Sequence, residues 1–342
     1  MCIFLMSGLF LFEVTKPQTS LMAVRLKHHR YITALLGSSA ILSFLYFQNS
    51  AMVLMDSSHG LVSERAPCAC GNCVTDQGNS RWFSDRYKPT VPLLLNSNNS
   101  VLHADVSRWW KELQDVPNVS NYTAVVDQLF SLFPDEDAGP DRGRTCAVVG
   151  NSGNLLGSHY GPLIDFHDFV IRINKGPTKH YEKDVGSKTT HRIMYPESAM
   201  DLDNSTHLVL FPFKILDMQW LFSAFTTKNI TQTYTEVPST IKANKDKVMI
   251  LHPEFMRYVY DNWTECHGRY PSTGFLTLIF ALHICDEVNV FGFGATSNGN
   301  WHHYFDETLT PFENDSHAGD FENKTISRLQ QEKKILLYRG WT

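Results

Sequence analysis

The sequence lacks an excess of positive charge. Lys and Arg number 30 against 35 Asp and Glu, a formal net charge of −5 over 342 residues. This balance disfavours a general nucleic-acid binder, because phosphate backbones require a cationic face, and it favours small or neutral partners. Hydrophobic residues make up 43% of the chain, with 22 Phe, 13 Tyr and 7 Trp. The composition therefore predicts a folded protein with one large core rather than a disordered chain.

Charge is absent from one long stretch near the start of the chain. Residues 31–47 contain no acidic or basic side chain and follow the basic run 25–30. This mostly apolar run of seventeen residues, interrupted only by Gly37, Thr33 and a few serines, is at the short end of the range for a transmembrane helix. It is longer than the core of a signal peptide, which is the alternative. Basic residues before the span predict a type II orientation. We expect a cytoplasmic tail at 1–30, a signal-anchor at 31–47, a stem at 48–67 and a lumenal domain at 68–342.

Glycosylation signals and cysteines also indicate a lumenal body. Eight Asn-x-Ser/Thr sequons are more than a cytosolic chain of this length is expected to carry. These N-glycosylation candidates are Asn98, Asn118, Asn121, Asn204, Asn229, Asn262, Asn314 and Asn323. Six cysteines follow the span, an even number that permits three disulfides in an oxidising compartment. The cluster at 68–73 lacks the second Cys or His pair of a zinc finger, so disulfides are favoured over a metal.

Short apolar runs predict a sheet in the second half of the chain. The predicted strands lie at 145–149, 168–173, 206–211, 247–251 and 287–291. A buried helix is predicted at Thr273–Ile284, and a helix-like aromatic stretch at 109–114. Apolar runs that alternate with helical stretches are typical of an α/β fold with a mostly parallel sheet and helices on both faces. No internal repeat or low-complexity tract is present.

The loop after the first predicted strand is the first place to look for a ligand, because ligands bind beyond the carboxyl ends of parallel strands. It reads Gly-Asn-Ser-Gly-Asn at 150–154. Its glycines permit close backbone approach and its asparagines add uncharged donors, a combination that suits a phosphate. The loop is not a dinucleotide-binding, Walker or nucleophile-elbow motif, so a nicotinamide enzyme, an ATPase and a serine hydrolase are unsupported. A plain strand-to-helix turn is the alternative.

Four segments, in order along the chain, resemble the sialylmotifs of animal sialyltransferases. The large motif corresponds to residues 146–155, 168–175 and 184–190. The small motif corresponds to residues 268–274 and continues through 285–288. The third motif corresponds to residues 302–305, and the very small motif to His317 with Glu322. The resemblance covers about 68–342. Three further segments, 195–198, 212–214 and 299–304, resemble in particular the α-2,3-sialyltransferases that act on Galβ1-3GalNAc.

The resemblance implies a single Rossmann-like, modified GT-A domain with CMP-sialic acid as the donor. It implies inverting, metal-independent transfer of sialic acid to the 3-hydroxyl of terminal galactose in Galβ1-3GalNAc glycans of glycoproteins and glycolipids. It also implies a single-pass type II protein of the Golgi membrane. No cofactor is expected, and a homodimer is left open.

The resemblance also assigns roles to residues. His317 matches the general base, because a neutral imidazole can take the proton of the galactose hydroxyl. His303 matches the histidine that stabilises the phosphate of the departing CMP. Donor contacts are expected from Asn151, Asn154, Asn174, Tyr234, Ser272, Thr273, Gly274 and Trp301, and acceptor contacts from Gln114 and Tyr270. A histidine considered alone is more often structural, so the joint pattern carries these assignments.

Metal-dependent transfer is the competing chemistry, because many glycosyltransferases bind Mn²⁺ through an Asp-x-Asp pair. The chain has two such triplets, at 135–137 and 201–203, and neither directly follows an apolar strand. Both are interpreted as solvated turns. CMP leaves with a single phosphate, so histidine and asparagine donors can suffice.

The cysteines depart from the family pattern. The family resemblance implies the pairs Cys146–Cys285 and Cys68–Cys73. Relatives place a further cysteine where this chain has Gly143, so Cys70 lacks its expected partner. We therefore expect a Cys70–Cys266 disulfide as a hypothesis.

Two other kinds of protein are alternatives to this transferase. A sialyltransferase with a different galactoside acceptor fits the same motifs. A lectin-like or catalytically weak Golgi protein could have the same sheet, but it would not need His303 and His317 for catalysis. A hydrolase would need paired carboxylates or an activated serine, and the sequence shows neither.

Overall fold

A computed structural model describes residues 73–74, 80–113, 121–135, 145–296, 302–306 and 317–340. All of them belong to the compact unit Ala66–Thr342. The predicted tail, membrane anchor and stem lie outside the described residues. Within the ranges that are described, no helix is long and apolar enough to cross a membrane.

The described residues form seven strands and nine α-helices. The strands are β1 (Thr145–Val149), β2 (Phe169–Ile173), β3 (His191–Met194), β4 (His207–Leu210), β5 (Val248–Ile250), β6 (Glu287–Phe291) and β7 (Leu336–Tyr338). The helices are α1 (Arg81–Ser84), α2 (Ala104–Glu112), α3 (Tyr122–Phe130), α4 (Gly161–Phe166), α5 (Glu182–Val185), α6 (Ile215–Phe225), α7 (Pro253–Asn262), α8 (Thr273–Ile284) and α9 (Gly319–Gln331).

The seven strands form one parallel sheet in the order β5-β4-β3-β2-β1-β6-β7. The prediction of a parallel α/β fold is confirmed. Five strands were predicted within two residues of their ends. Neither β3 nor β7 was predicted. The four residues of β3 include the polar His191 and Arg192, and in β7 Leu336 is 52% exposed, so neither strand is a continuous apolar run.

Apolar side chains cover both faces of the sheet. The larger cluster includes Val148 of β1, Ile171 of β2 and nearly every side chain of α8, which is why that helix is apolar all round. The smaller cluster joins Ala147 and Val149 to residues of α4 and α5 on the other face. Because β1 is buried on both faces, its carboxyl end is fixed in position, and the loop at 150–154 starts from a rigid support.

The structure confirms one predicted disulfide and contradicts another. Cys146 on β1 and Cys285 at the end of α8 form a disulfide with a Cα–Cα distance of 6.1 Å. Cys73 is disulfide-bonded as well, and Cys68, its predicted partner, lies outside the described residues. The Cys70–Cys266 hypothesis is wrong, because Cys266 is a free, exposed thiol. It lies in the turn after α7 at φ 61°, with its Sγ 3.6 Å from Asp261 Oδ1.

The sequons differ in exposure. Asn98, Asn121, Asn204, Asn229 and Asn323 are exposed. Asn262 is half-buried at the end of α7, where its Nδ2 donates to the Tyr258 carbonyl over 3.0 Å and the Thr264 of its sequon is fully buried. Asn118 and Asn314 lie outside the described residues.

Candidate active site

The loop at 150–154 is held by the backbone of two neighbouring segments. Gly150 N–H donates to the Phe291 carbonyl over 2.8 Å, and Ser152 N–H donates to the Gly292 carbonyl over 3.1 Å. Gly153 N–H donates to the His302 carbonyl over 2.8 Å. A Cβ at 153 would lie 2.2 Å from the His302 ring, so this close approach requires glycine. Segment 302–306 is thereby fixed against the carboxyl end of β1.

Asn151 and Asn174 lie in the turns that follow β1 and β2, and these turns approach each other closely. Asn151 Nδ2 donates to the Ile173 carbonyl over 3.0 Å. Asn174 has a left-handed φ of 54°, and its Oδ1 accepts a hydrogen bond of 2.9 Å from Ser198 Oγ. Since that bond uses the amide oxygen of Asn174, its NH₂ group remains as a donor. A Cβ at Gly176 would lie 2.3 Å from Asn151 Oδ1, which shows how closely the two turns approach.

Asn154 has a more structural position. It is 5% exposed, and its Nδ2 donates to the Phe293 carbonyl over 3.0 Å. Its Oδ1 is buried without a hydrogen-bond partner. The contact braces the segment after β6.

His303 lies on the surface of the same region. Its backbone forms a bridge with Ser152, and its ring stacks on Phe305 with 5.0 Å between centroids. This packing against its neighbours lowers the pKa of His303 below the usual value, and His302 lowers it further, while Asp306 opposes the shift. Next to it, Tyr304 N–H donates to the Asn151 carbonyl over 2.9 Å. We call loops 150–154, 174–176 and 302–304 the loop side of the site.

His317 is oriented by a backbone carbonyl. Its Nδ1 lies 3.0 Å from the Tyr270 carbonyl oxygen, and the two rings meet edge to face at 4.8 Å. Because a carbonyl can only accept, Nδ1 must carry the proton. In the neutral imidazole the lone pair is therefore on Nε2, which is the form required of a base.

Glu322 fixes the start of α8. Its carboxylate accepts hydrogen bonds from Ser272 N–H over 2.7 Å and from Ser272 Oγ over 2.6 Å. Ser272 Oγ also accepts from Phe275 N–H and so caps the helix. Burial raises the pKa of Glu322, although the two Ser272 hydrogen bonds and nearby His317 oppose the shift. We call residues 270–274, His317 and Glu322 the helix side of the site.

The start of α8 offers backbone donors. Thr273 and Gly274 are the first two residues of this 12-residue helix and are only partly buried. The first N–H groups of a helix have no partner inside the helix and favour an anion. The sequence-predicted residues Ser272, Thr273 and Gly274 are thus together on one helix end.

Phe293 connects the two sides and was not predicted. Its ring would lie 2.9 Å from a Cβ at Gly150 and 3.4 Å from a Cβ at Gly274. The loop side and the helix side therefore share one wall. No motif in the sequence distinguishes this phenylalanine from the other 21.

Tyr234 lies beside a buried ionic group. Lys214 Nζ is 2.5 Å from Asp217 Oδ1, 3.2 Å from Glu197 Oε1 and 4.2 Å from the centre of the Tyr234 ring. Burial raises the pKa of Asp217 to about 7, and Lys214 opposes this. Tyr234 is 47% exposed, so its ring is available to a ligand. Glu197 and Lys214 lie in the segments 195–198 and 212–214 that resemble the α-2,3-sialyltransferases, but neither was predicted to contact a ligand, and Asp217 was not singled out.

Two predicted contacts are not placed. Gln114 and Trp301 lie outside the described residues, and both stay predictions. The described residues contain no group of three or more His, Cys, Asp or Glu side chains arranged to bind a metal. Asp203 accepts hydrogen bonds from Ser205 and Thr206, and Asp201 from Lys242 N–H, which is the turn role expected of that triplet.

Comparison with known families gives one match over most of the chain. The model of glycosyltransferase family 29 (sialyltransferase) matches residues 94–334. CMP-N-acetylneuraminate-beta-galactosamide-alpha-2,3-sialyltransferase 1 of Gallus gallus is 47% identical over 284 residues, which cover 81% of this chain and 83% of that protein. The protein of the same name from Homo sapiens is 41% identical over 311 residues, 89% of this chain and 92% of its own.

Solved structures show the same fold. A mammalian sialyltransferase crystallised in complex with Gal-beta-1-3GalNAc-ortho-nitrophenol has 45% sequence identity and a TM-score of 0.74. The match covers 80% of this chain and 100% of that one.

Proposed function

The chain belongs to glycosyltransferase family 29, the sialyltransferases, and from this premise we propose that it transfers sialic acid from CMP-sialic acid to the 3-hydroxyl of terminal galactose in Galβ1-3GalNAc glycans. The observation that carries the proposal is the hydrogen bond between His317 and the Tyr270 carbonyl. It fixes the tautomer that leaves Nε2 able to accept the galactose proton.

The proposed reaction is a single inverting displacement. The galactose O3 forms a bond to the anomeric carbon of sialic acid while the bond from that carbon to the CMP phosphate oxygen breaks. His317 Nε2 takes the hydroxyl proton, and the electron pair of the broken bond leaves on the phosphate. The transition state resembles an oxocarbenium ion, so charge also develops on the departing phosphate.

The loop side supplies the groups for that phosphate. The NH₂ group of Asn174 is not used by the hydrogen bond to its oxygen, and Asn151 lies against the same turn, at the Ile173 carbonyl and Gly176. His303 is exposed beside them and can donate to the departing oxygen. Donors preorganised where charge develops are an effective form of transition-state stabilisation.

The helix side supplies the groups for sialic acid and the acceptor. The N–H groups of Thr273 and Gly274 at the start of α8 suit the sialic acid carboxylate. Tyr270 is next to the base, and Tyr234 presents a half-exposed ring beside Lys214. The match to a sialyltransferase crystallised with a Galβ1-3GalNAc derivative supports this choice of acceptor over other galactosides.

Transfer by the full chain, purified in detergent, tests the proposal. CMP-sialic acid and a Galβ1-3GalNAc glycoside are supplied with excess EDTA, and Galβ1-4GlcNAc serves as the matched acceptor control. We expect α-2,3-sialylated product, with EDTA leaving the rate unchanged. A product on Galβ1-4GlcNAc alone would support the alternative of another galactoside acceptor. Loss of the rate in EDTA would overturn the metal-independent mechanism.

We further propose that the protein is a type II resident of the Golgi membrane. The Cys146–Cys285 disulfide and five exposed sequons suit an oxidising lumen. Digestion of membranes containing the full chain tests the topology. We expect an N-terminal epitope to be cleaved in sealed vesicles and the C-terminal body to be protected until detergent is added. Protection of both ends would contradict the orientation.

A further inference from the structure

Two buried arginines lie beneath the loop side. Arg172 on β2 and Arg192 on β3 are paired in the sheet register, so they project from the same face of neighbouring strands. They are 1% and 4% exposed. Both strands end within two residues of these positions, and the loop carrying Asn174 follows directly.

Neither arginine has an acidic partner among the described residues. No ion pair joins Arg172 or Arg192 to a carboxylate there. One nitrogen of each guanidinium, Arg172 Nη1 and Arg192 Nε, is buried without a hydrogen-bond partner. Removing a cation from water without pairing it is costly. Burial lowers the pKa of both groups to about 10, which still leaves them charged at neutral pH.

Arg192 holds the turn that presents Asn174. Its Nη1 donates to the Asn174 carbonyl over 3.0 Å and to the Gly176 carbonyl over 2.9 Å. In a planar trans peptide the N–H points opposite to the carbonyl, so the N–H of Lys175 is turned away from Arg192. Arg172 instead donates to the Lys188 carbonyl over 2.8 Å, and none of its hydrogen bonds among the described residues is to this turn. Only Arg192 therefore contacts the turn, while both arginines contribute charge.

We infer that Arg172 and Arg192 form a cationic pair that positions the 174–176 turn and stabilises, from beneath it, the phosphate of a bound cytidine nucleotide. This inference rests on the proposed function for the identity of the nucleotide. Among the described residues, Asp165 acts on the charge of Arg172 without forming an ion pair with it, and a bound phosphate would add the paired negative charge that the two arginines lack there. In the low-dielectric interior such charges act over longer distances than they do in water. The two arginines are positioning residues, because their side chains lie below the loop and do not reach the ligand.

Binding of CMP and of cytidine to the full chain in detergent tests the inference, because the two ligands differ only in the phosphate. For Arg192→Gln we expect the Kd of CMP to rise about tenfold or more and that of cytidine by less than about threefold. Arg81→Gln is the matched control, since Arg81 is 95% exposed on α1, and it should leave both affinities unchanged. Equal weakening of CMP and cytidine, or weakening of neither, would overturn the inference.

Two further variants keep the test decisive if Arg192→Gln does not fold. Arg172→Gln removes one charge and leaves the carbonyl contacts of Arg192 intact, so a loss selective for CMP is expected from charge alone. Arg192→Lys keeps the charge and should retain more CMP affinity than Arg172→Gln does. CMP affinity equal to wild type in Arg172→Gln would contradict a paired role.

The pH dependence of CMP affinity distinguishes an electrostatic role of the arginines from a purely structural one. A phosphate monoester gains its second negative charge with a pKa of about 6. The ratio of wild-type to Arg172→Gln affinity for CMP should therefore increase between about pH 5.5 and 7.5, whereas a structural role would leave it constant and overturn the inference. If wild type binds CMP but transfers no sialic acid, the proposed function fails while these ratios still decide the inference. If wild type does not bind CMP, both fail.

Discussion

The loop side and the helix side of the site are stabilised in different ways. On the loop side, backbone hydrogen bonds join 150–153 to the segments after β6 and before Tyr304, and a glycine at 153 permits the approach. On the helix side, the buried carboxylate of Glu322 accepts two hydrogen bonds from Ser272, which lies 50 residues earlier in the chain and caps α8. Substitutions on the loop side should change CMP affinity, whereas those on the helix side should change catalysis, the binding of sialic acid and acceptor, or the position of the helix.

The largest effect is expected from His317→Ala. Loss of a general base lowers kcat by about 100-fold or more. The hydrogen bond to Tyr270 contributes little to the loop side, so we expect the Kd of CMP to remain unchanged. Initial rates of transfer to Galβ1-3GalNAc measure the effect. His103→Ala is the matched control, because His103 is exposed at the start of α2. A transfer rate within about threefold of wild type would exclude the base role.

Asn151→Ala should act mainly on CMP affinity. A lost hydrogen bond to a charged phosphate costs about 1–3 kcal/mol, which corresponds to a rise in Kd of roughly 5- to 150-fold. Asn151→Asp is the sharper variant, since it keeps the shape and adds a negative charge beside the phosphate. We expect it to bind CMP more weakly than Asn151→Ala does. Calorimetric titration decides this, and tighter binding by the Asp variant would mean that no anion lies there.

Many features of the loop side and the helix side could be predicted from the sequence. β1, β6 and α8 were predicted with the observed bounds, because continuous apolar runs bounded by turns are typical of buried elements. The loop at 150–154 was predicted as a ligand site because ligands bind beyond the carboxyl ends of parallel strands. The family resemblance then added His303 and His317.

Other features could not be read from the sequence. Arg172 and Arg192 are charged residues, which are normally exposed, so their burial depends on tertiary structure alone. The contact of Glu322 with Ser272 joins distant segments, and no local pattern encodes it. The Cys70–Cys266 hypothesis came from counting thiols, and a count contains no distance between them. The free Cys266 shows the limit of that argument.

Glu322 tests whether the helix side depends on a buried carboxylate. Glu322→Ala leaves the N–H and hydroxyl of Ser272 without their acceptor, so the free energy of unfolding should fall by about 1–3 kcal/mol. Glu322→Gln keeps one acceptor oxygen and should lose less. Thermal unfolding with activity measured in the same samples checks this order. Equal stability of the Ala variant and wild type would show that the carboxylate does not hold α8.

The smallest expected effect is a pH dependence on the loop side. Burial lowers the pKa of His303, so in the free protein its imidazolium forms only below the usual range of histidine. The positive form favours phosphate, and the contribution of His303 to CMP affinity therefore grows as the pH falls. The ratio of wild-type to His303→Gln affinity should increase by a few-fold between about pH 7.5 and 5.5. A ratio that decreases toward acid would contradict a phosphate contact.

The most direct test of the division between the two sides is CMP titration into His317→Ala and Asn151→Ala, with sialic acid transfer measured on the same preparations. We predict that His317→Ala binds CMP like wild type and loses transfer, and that Asn151→Ala loses CMP affinity by about tenfold while its kcat at saturating donor falls less than that of His317→Ala. Equal loss of CMP affinity in both variants would contradict the account.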